Sequence, residues 1–392
     1  MQNKETEEIL FNSIKKNAKV AIFSTTKLAL SFKKFLSTYR QDLSIVCFID
    51  SFREEKLDDL NVYKPNNIPQ DVDIVIIASK ANKKTLANIL EENNWTKYIT
   101  IHDGILELLE NQKYKDYFKF VPPGHYYSPI PTIEDTQKAL QNRDFNVDND
   151  TTIDYNIEKQ LETLEYFSSI KDKYIFTEEK KPKNYYFYGS SNKMYGKYCS
   201  FTLMGIVLKN KPKRIIEVGS GYSTAFLYDI NRLYFDNKIQ ISAIEPYPHR
   251  LKFLFGQDYE KLDLQETNLQ NISLSYFDSL EENDILFIDS SHVSKANSDV
   301  NYILFNILPR LKKGVIVHFH DIGFPYEYPE RWFNEGRHWN EIYMIRAFLS
   351  YNTTFKIEFF GNYLRNYIPQ KNIKTEFANT NLGGSIYIRK VN

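Results

Sequence analysis

The first hundred residues alternate short apolar runs with amphipathic patterns. Two apolar runs, Lys19–Ser24 and Leu43–Asp50, flank a stretch whose apolar residues recur at helical spacing. Two more, Asp73–Ser79 and Tyr98–Ile101, flank a second such stretch at Lys83–Glu92. Continuous apolar runs of this length predict strands buried on both faces, joined by crossover helices. This part of the chain is therefore predicted to form a small parallel α/β sheet.

The pattern changes in the middle of the chain and then returns. Prolines and aromatic residues are concentrated in Val121–Pro131, and helical patterns follow at Ile133–Gln141 and Ile157–Phe167. From Pro212 onward, apolar runs and helical patterns alternate again. The predicted strands there are Arg214–Gly219, Gln240–Tyr247, Ile272–Leu280, Asp284–Asp289 and Gly314–Ile322. We predict an α/β domain at 1–112, a helical connector with a Pro-rich loop at 113–183, and a second α/β domain at 184–392.

A nucleotide site in the first domain has one point in its favour and one against it. Asp50 ends the second predicted strand, where dinucleotide-binding folds place an acid for the ribose hydroxyls. The first turn, Ser24–Thr26, contains no glycine, and the first glycine of the chain is Gly104. Without glycine the backbone does not easily approach a pyrophosphate. We predict a structural or partner-docking role for this domain, with dinucleotide binding as the alternative.

Composition excludes several function classes for this chain of 392 residues. Lys plus Arg and Asp plus Glu are 50 each, so no overall basic charge favours nucleic acid. The two cysteines, Cys47 and Cys199, are far apart in sequence, which argues against a disulfide scaffold or a multi-cysteine zinc site. The first ten residues do not resemble a signal peptide, and no apolar run approaches the roughly 20 residues of a membrane span. We expect a soluble, cytoplasmic protein without a membrane span.

The most informative motif joins a buried strand to a helix through a glycine turn. Gly219 and Gly221 follow the strand, and a helix begins near Ser223, so free N–H groups of the helix would face a ligand. Glu217 places an acid just before the turn, which suits a cation rather than a phosphate. Glu245 ends the next strand, 24 residues beyond Gly221, where an acid accepts hydrogen bonds from ribose hydroxyls.

Polar residues also end the next three predicted strands, which contribute Asp278, Asp289 and the pair His320–Asp321. In an open parallel sheet, ligands bind outside the carboxyl ends of the strands. Period-2 alternation puts His318 and His320 on one face of their strand and Asp321 on the other. For His318 we expect a hydrogen-bonded core residue, since buried polar groups are seldom unpaired.

Long segments of the chain resemble a bacterial branch of the class I S-adenosylmethionine-dependent methyltransferases. The segments are PPGHYYSPIP, IIEVGSGYST, DILFIDSSHV, VNYILFNILPRLKKGVIVHFHDI and EGRHWNEIYMIRAFL, and the resemblance covers roughly Phe118 to Lys390. It implies a seven-stranded Rossmann-like sheet whose last strand is inserted antiparallel, with Phe355–Phe360 and Gly384–Lys390 as the sixth and seventh strands. It also implies S-adenosylmethionine as cofactor. The predicted cofactor-binding residues are Glu217, Gly219, Ser220, Gly221, Ser223, Glu245 and Asp278.

The resemblance further implies an acceptor and a chemistry. This branch is associated with polysaccharide and secondary-metabolite pathways, so we expect O-methylation of a sugar or glycan precursor. His292, three residues after Asp289, is the predicted general base. Related sugar methyltransferases bind a divalent metal here, and the corresponding set would be Asp289, His320 and Asp321. Because His320 replaces an acid, the hard magnesium ion fits poorly, and we favour catalysis without a metal. Alternatively, Asp289 caps the following helix.

Residues for the acceptor and for partners are predicted less directly. The Pro-rich loop offers His125 and Tyr126, and the segment before the last long helix offers Arg337, Trp339 and Asn340. Trp339 would stack on a sugar ring, although core packing also explains it. The first domain would support a homo-oligomer or a glycan-assembly partner. Two alternative functions remain: a non-catalytic cofactor-binding partner in glycan assembly, and a nucleotide-sugar or NAD enzyme that uses the first domain.

Overall fold

The computed structural model describes residues 14–79, 82–101, 124–176, 185–187, 192 and 194–392. The chain divides into two compact units, one of Met1–Gln141 with Pro329–His338 and one of Asn142–Tyr328 with Trp339–Asn392. The domain boundaries predicted at 112/113 and 183/184 lie outside the described residues, so the predicted three-part division stays a prediction. In the described part of the chain, no helix has the length and apolar character that a membrane crossing requires.

The first unit contains a five-stranded parallel sheet in the order β3-β2-β1-β4-β5. The four predicted strands and two predicted helices are confirmed, and a two-residue strand, β3, was not predicted. The helix at Ile133–Gln141 also has its predicted bounds. The elements are β1 Lys19–Phe23, α1 Lys27–Tyr39, β2 Ser44–Ile49, β3 Val62–Tyr63, β4 Ile74–Ile77, α2 Lys83–Glu92, β5 Tyr98–Thr100, α3 Ile133–Gln141 and, later in the chain, α9 Glu330–Asn334.

Helices cover both faces of this sheet, which explains why its strands are apolar on both sides. Phe32 of α1 belongs to the core on one face, together with Val20 of β1. Leu90 of α2 belongs to the core on the other face, together with Ala21 and Phe23 of β1. The alternate residues of β1 thus belong to opposite cores.

The first turn of this sheet satisfies its own polar groups. Asp50 Oδ2 accepts a hydrogen bond from the Thr25 hydroxyl at 2.5 Å. Asp50 Oδ1 accepts the backbone amides of Phe52 and Arg53 at 2.7 and 3.0 Å. Ser24 has a φ of 153°, a conformation that favours glycine. The acid considered for a ribose therefore holds the loop that follows β2.

The second unit contains a seven-stranded sheet in the order β11-β12-β10-β9-β6-β7-β8. β12 is antiparallel to both of its neighbours, β10 and β11, and the other pairs are parallel. This is the predicted α/β architecture with an inserted antiparallel last strand. The strands are β6 Arg214–Val218, β7 Gln240–Ile244, β8 Asp263–Gln265, β9 Ile285–Ile288, β10 Ile316–Phe319, β11 Phe355–Phe360 and β12 Ile386–Lys390.

Several helices of the second unit pack around a core on one face of this sheet. The core joins Phe167 of α4 and Leu203 of α5 to Phe226 of α6, and these residues meet Phe287 and Tyr387 of the strands. The helix α8 continues without interruption as a π-helix at Ile303–Ile307 and a 3₁₀ turn at Leu308–Arg310. The helices are α4 Ile157–Ile170, α5 Lys197–Asn210, α6 Tyr222–Phe235, α7 His249–Phe255, α8 Asp299–Tyr302, α10 Glu341–Leu349 and α11 Gly361–Gln370.

The prediction of a strand at Ile272–Leu280 is wrong. Leu274–Ser279 is a 3₁₀ helix that begins after Ser273, whose hydroxyl accepts the amide of Ser275. The third strand along the chain is instead β8, three residues long and paired only with β7. Asp278 therefore ends no strand, and its carboxylate binds the Arg310 guanidinium at 2.6 Å. A cofactor-binding role for Asp278 loses the placement on which it rested.

Candidate active site

The carboxyl ends of β6, β7, β9 and β10 meet at one edge of the second sheet. Their register pairs Glu217 with Phe287 and Phe287 with His318, so these side chains share one face. Asp289 continues β9, and its amide donates to the carbonyl of Val218 at 2.9 Å. The predicted site residues of this unit, apart from Asp278, thus collect at the edge where parallel sheets bind ligands.

Gly219 makes the turn after β6 possible. Its φ is +81°, and a Cβ atom there would lie 1.8 Å from the carbonyl oxygen of Asp289. The backbones that leave β6 and β9 are therefore too close for any side chain at this position. The amide of Gly219 donates to Ile244 of β7 at 3.0 Å, which links a third strand to the turn.

Glu245 connects the end of β7 to the glycine turn. Its Oε2 accepts the amide of Ser220 at 3.0 Å, and its Oε1 accepts the amide of Tyr247 at 2.8 Å. Each carboxylate oxygen can accept a second hydrogen bond. The structure thus holds Glu245 beside the turn, with acceptor capacity left for a pair of hydroxyls.

Glu217 is fully buried beneath the turn. Burial raises its pKa to about 8, opposed by the nearby hydroxyls of Ser223 and Thr224. Neither carboxylate oxygen makes a hydrogen bond of normal geometry with the described residues. The Thr224 hydroxyl also accepts a hydrogen bond from the amide of Gly221 at 2.9 Å, so a side chain of α6 itself caps the start of that helix. An unsatisfied buried acid here suits a cationic ligand group.

Asp289, His292 and Asp321 form a compact cluster at the ends of β9 and β10. One ligand atom from each lies within 4.8 Å of the others. His292 Nε2 is 3.3 Å from Asp289 Oδ1 and 3.8 Å from Asp321 Oδ2. Two carboxylates and an imidazole make a donor set that fits manganese, iron or zinc better than magnesium. The predicted metal set of Asp289, His320 and Asp321 stays a prediction, and the structure places His292 beside the same two carboxylates.

Asp321 reaches this cluster because of its backbone. The alternation along β10 predicts that its side chain points away from that of His320, but β10 ends at Phe319. Asp321 has a left-handed φ of +58°. Its Oδ1 lies 3.4 Å from His320 Nδ1, and the same nitrogen is 3.3 Å from Asp289 Oδ1. The expected opposite orientation is therefore wrong.

His320 and His318 have different surroundings. Burial alone would lower the pKa of His320, but Asp321 and Asp289 raise it well above its usual range. His318 is in the core, as predicted, with its ring centroid 4.0 Å from Phe287 and 4.7 Å from Tyr387. Burial lowers its pKa, and neither nitrogen makes a hydrogen bond of normal geometry with the described residues, contrary to expectation.

His292 is enclosed by residues around the start of α10. Its Nδ1 lies 2.8 Å from Glu341 Oε2, and its ring centroid is 4.3 Å from that of Trp339. Burial alone would lower the pKa of His292, but Asp289 and Glu341 raise it to about 10. The protonated ring is therefore the stable form of the ligand-free protein at neutral pH. The Trp339 ring packs against the rings of His292 and Tyr328, so part of its surface is in contact with the protein itself.

The remaining predicted acceptor residues belong to the first unit. The rings of His125 and Tyr126 lie 4.5 Å apart, and Tyr126 is 80% exposed. Arg337 binds Glu335 at 2.8 Å, and its guanidinium lies 5.3 Å from the Trp332 ring. Their roles toward an acceptor stay predictions.

Two residues near the cluster were not assigned these contacts from the sequence. No contact with His292 was predicted for Glu341, yet its carboxylate is buried against that ring. Tyr195 is also buried, with its ring 5.1 Å from that of His320. The available signal for Glu341 was an acidic residue at the first position of a helix rich in apolar residues. No such signal was available for Tyr195.

Three comparisons relate this chain to known proteins. A crystal structure of SAH-bound Podospora anserina methyltransferase PaMTH1 is similar, with 16% identity, a TM-score of 0.33, and coverage of 68% of this chain and 99% of that one. Residues 216–322 match the model of a methyltransferase domain. An uncharacterized protein of Archaeoglobus fulgidus is 35% identical over 171 residues, which cover 42% of this chain and 76% of that protein. The chain thus belongs to the same family as the Archaeoglobus fulgidus protein and carries a methyltransferase domain.

Proposed function

We propose that the protein transfers a methyl group from S-adenosylmethionine to a hydroxyl group of a sugar or glycan precursor. The observation that carries the proposal is the glycine turn of a methyltransferase domain, set between the buried acid Glu217 and the strand-end acid Glu245. A sulfonium donor presents a cationic methionine end and two ribose hydroxyls. These two acids match those two groups.

In this proposal the donor lies along the carboxyl edge of the sheet. Gly219 and Gly221 let it approach the backbone, and Ser220 and Ser223 line the turn. Glu245 accepts the ribose hydroxyls with the lone pairs that its two backbone donors leave unused. Glu217 faces the cationic end from below the turn. Asp278 has no part in it, since its carboxylate pairs with Arg310.

Methyl transfer is an in-line displacement in which the carbon–sulfur bond breaks as a carbon–oxygen bond forms. The acceptor hydroxyl loses its proton to His292 Nε2, and the electron pair of the broken bond stays on sulfur. Asp289 and Asp321 stabilise the imidazolium that results. The ring must first release to solvent the proton it carries in the ligand-free protein. A sulfonium cation bound nearby favours that release by charge repulsion.

A divalent metal would be held by Asp289, His292 and Asp321, and it would polarise the acceptor hydroxyl. Our proposal does not require it, because His292 and His320 both lie within ion-pair distance of both carboxylates. In the ligand-free protein the two protonated rings offset the two carboxylate charges, and His320 keeps its charge when His292 acts as the base. We therefore expect methyl transfer to persist after EDTA treatment. Loss of transfer that manganese or magnesium restores would replace this mechanism with a metal-dependent one.

Isothermal titration with S-adenosylmethionine tests the donor site directly. We expect the wild type to bind and Glu245→Ala to bind at least about 10–100-fold more weakly, since each hydrogen bond to a charged group contributes about 1.5–3 kcal/mol. Asp278→Ala is the matched control, because Asp278 is a partly exposed acid that ends no strand and pairs with Arg310, and this variant should bind like the wild type. No binding by the wild type, or equal binding by Glu245→Ala, would remove the proposal.

The acceptor class needs a separate experiment. Nucleotide sugars and glycan intermediates from a cell extract, incubated with protein and donor, should contain a species that gains one methyl group. His292→Ala should abolish that gain while donor binding continues. A protein that binds donor and methylates nothing would support the alternative of a non-catalytic partner. Nucleotide binding at Asp50 without donor binding would support the nucleotide-sugar or NAD alternative.

A further inference from the structure

The three residues at the start of α10, Trp339, Asn340 and Glu341, all contact the segment that follows β9. We call them the 339–341 segment. Its contacts concentrate on His292 and Ser294, and they involve backbone, amide, carboxylate and ring. Because so many of these contacts are made with His292 and its neighbour Ser294, the 339–341 segment is suited to fix the position of His292.

The backbone of His292 is the first point of attachment. Its carbonyl oxygen accepts the amides of both Asn340 and Glu341, each at 3.1 Å. These are among the amides that a helix start leaves without an internal partner. His292 itself has a left-handed φ of +59°, a backbone conformation that residues other than glycine seldom adopt. The start of α10 therefore helps to hold an unfavourable conformation at the residue proposed to take the proton.

The side chain of Asn340 is the second point of attachment. Its Oδ1 accepts the amide of Ser294 at 2.6 Å, and its Nδ2 donates to the carbonyl of Ser294 at 3.2 Å. Both ends of the Asn340 amide are used in this way on one backbone residue. Asn340 was predicted to contact the acceptor. In the structure its side chain instead connects the start of α10 to the segment that follows β9.

The imidazole ring is the third point of attachment. Glu341 is buried, and its Oε2 lies 2.8 Å from His292 Nδ1. With the ring of His292 protonated and Glu341 ionised, Nδ1 donates this hydrogen bond, since a carboxylate can only accept one. Trp339 lies along the same ring at 4.3 Å. Nε2 is left to face Asp289 at 3.3 Å.

We infer that Glu341 is a positioning residue, which fixes the ring of His292 so that Nε2 faces the reacting groups. The inference rests on the proposed function for what Nε2 does there. The orientation itself follows from the contacts of the ring. Carboxylates that hold the far nitrogen of a functional histidine act in this way in many enzymes.

Imidazole N–H proton resonances of the full-length protein report on this contact without an acceptor or donor. The wild type should show a slowly exchanging, strongly deshielded Nδ1 proton, identified by its absence from His292→Asn. Glu341→Ala should lose it. Glu341→Gln keeps an oxygen acceptor of the same size but no charge, so the resonance should remain with weaker deshielding. Persistence of an unchanged resonance in Glu341→Ala would overturn the inference.

Transfer kinetics give a second readout, with the acceptor that the extract screen identifies. Glu341→Ala should lower kcat about 10–100-fold with KM for S-adenosylmethionine unchanged, and Glu341→Gln should restore most of kcat. An equal loss in both variants, or a rise in KM alone, would contradict a positioning role. The resonance is measured without donor, so it tests the ring contact even if the wild type binds no S-adenosylmethionine.

Glu358→Ala is the matched control for loss of a buried acid. Glu358 is buried and binds Arg389 Nε at 2.9 Å, and Arg389 contacts Gly314 and Asn283 ahead of β10 and β9. It should lower the thermal midpoint while the His292 resonance and kcat stay as in the wild type. Loss of the resonance in this control would mean that general destabilisation explains both variants.

Discussion

Replacement of Gly219 by alanine should destabilise this protein more than the same replacement at Gly256 or Gly384. The new Cβ would lie 1.8 Å from the carbonyl oxygen and 2.6 Å from the carbonyl carbon of Asp289. Both are backbone atoms at the end of a central strand, so no side-chain rotation relieves the contact. The left-handed φ of +81° adds a second penalty for any residue with a Cβ.

The size of the effect follows from these two penalties. The left-handed conformation costs about 1–2 kcal/mol, and an overpacked buried site costs typically about 1–3 kcal/mol. Together they should reduce the free energy of unfolding by about 2–5 kcal/mol, a large part of the roughly 5–15 kcal/mol that folded domains have. For a domain of this size that corresponds to a fall in Tm of roughly 4–20 °C.

Urea unfolding and calorimetry measure this loss, and two other glycines separate its causes. Gly256 has a φ of +56° with nothing within 4 Å of an added Cβ, so Gly256→Ala carries only the backbone penalty. Gly384 has open space and no left-handed φ, so Gly384→Ala should stay within about 0.5 kcal/mol of the wild type. The reasoning is refuted if Gly219→Ala unfolds at the same urea concentration as Gly256→Ala.

Two further predictions concern acids of the second unit. Asp278→Ala should change stability by no more than about 1 kcal/mol, because its pair with Arg310 is half-exposed, and chemical denaturation measures this. For Asp299, burial alone would raise the pKa, but hydrogen bonds from Ser291 lower it below the ordinary 3.8. Because this pKa is lower in the folded protein, the ionised carboxylate stabilises the fold above pH 3.8, and this stabilisation is lost as the pH falls further. The difference in the free energy of unfolding between wild type and Asp299→Asn should therefore shrink between pH 5 and pH 3 in urea titrations.

The sheets were largely predictable because their strands are buried on both faces. Runs such as Lys19–Ser24 and Asp73–Ser79 have a continuous apolar centre without polar alternation, and flanking turns limit their length. The short strands were not predictable in this way. Val62–Tyr63 is two residues long, and Asp263–Gln265 is three residues long with a polar residue at each end. Neither is long enough to show a period.

The strand predicted at Ile272–Leu280 shows that a strand-like alternation of apolar and polar residues does not always form a strand. Its apolar and polar residues alternate, as in a half-buried strand. Ser273 instead caps a 3₁₀ helix by accepting the amide of Ser275. Serine side chains offer the backbone this alternative to a ladder, and alternation alone does not reveal which partner the backbone takes.

Which residues gather at the site was predictable, whereas their partners were not. Strand ends at the carboxyl edge of a parallel sheet must meet, and this placed Glu217, Glu245 and Asp289 correctly. The contact of Glu341 with His292 joins residues 49 positions apart. It depends on how α10 packs after a long excursion of the chain, and no periodicity within one segment contains that information.

The orientation of the strand-end side chains depended on single backbone torsions. Gly219, His292 and Asp321 have φ values of +81°, +59° and +58°, and they lie within four residues of the ends of β6, β9 and β10. Extending the period-2 alternation of a strand past its end is valid only while the backbone stays extended. A left-handed residue redirects the chain, and that is why Asp321 joins the cluster. Non-glycine residues keep such torsions only where their surroundings hold them. For His292 the holding contacts come from Asn340 and Glu341, so the same hydrogen bonds explain both the unusual torsion and the direction of the ring.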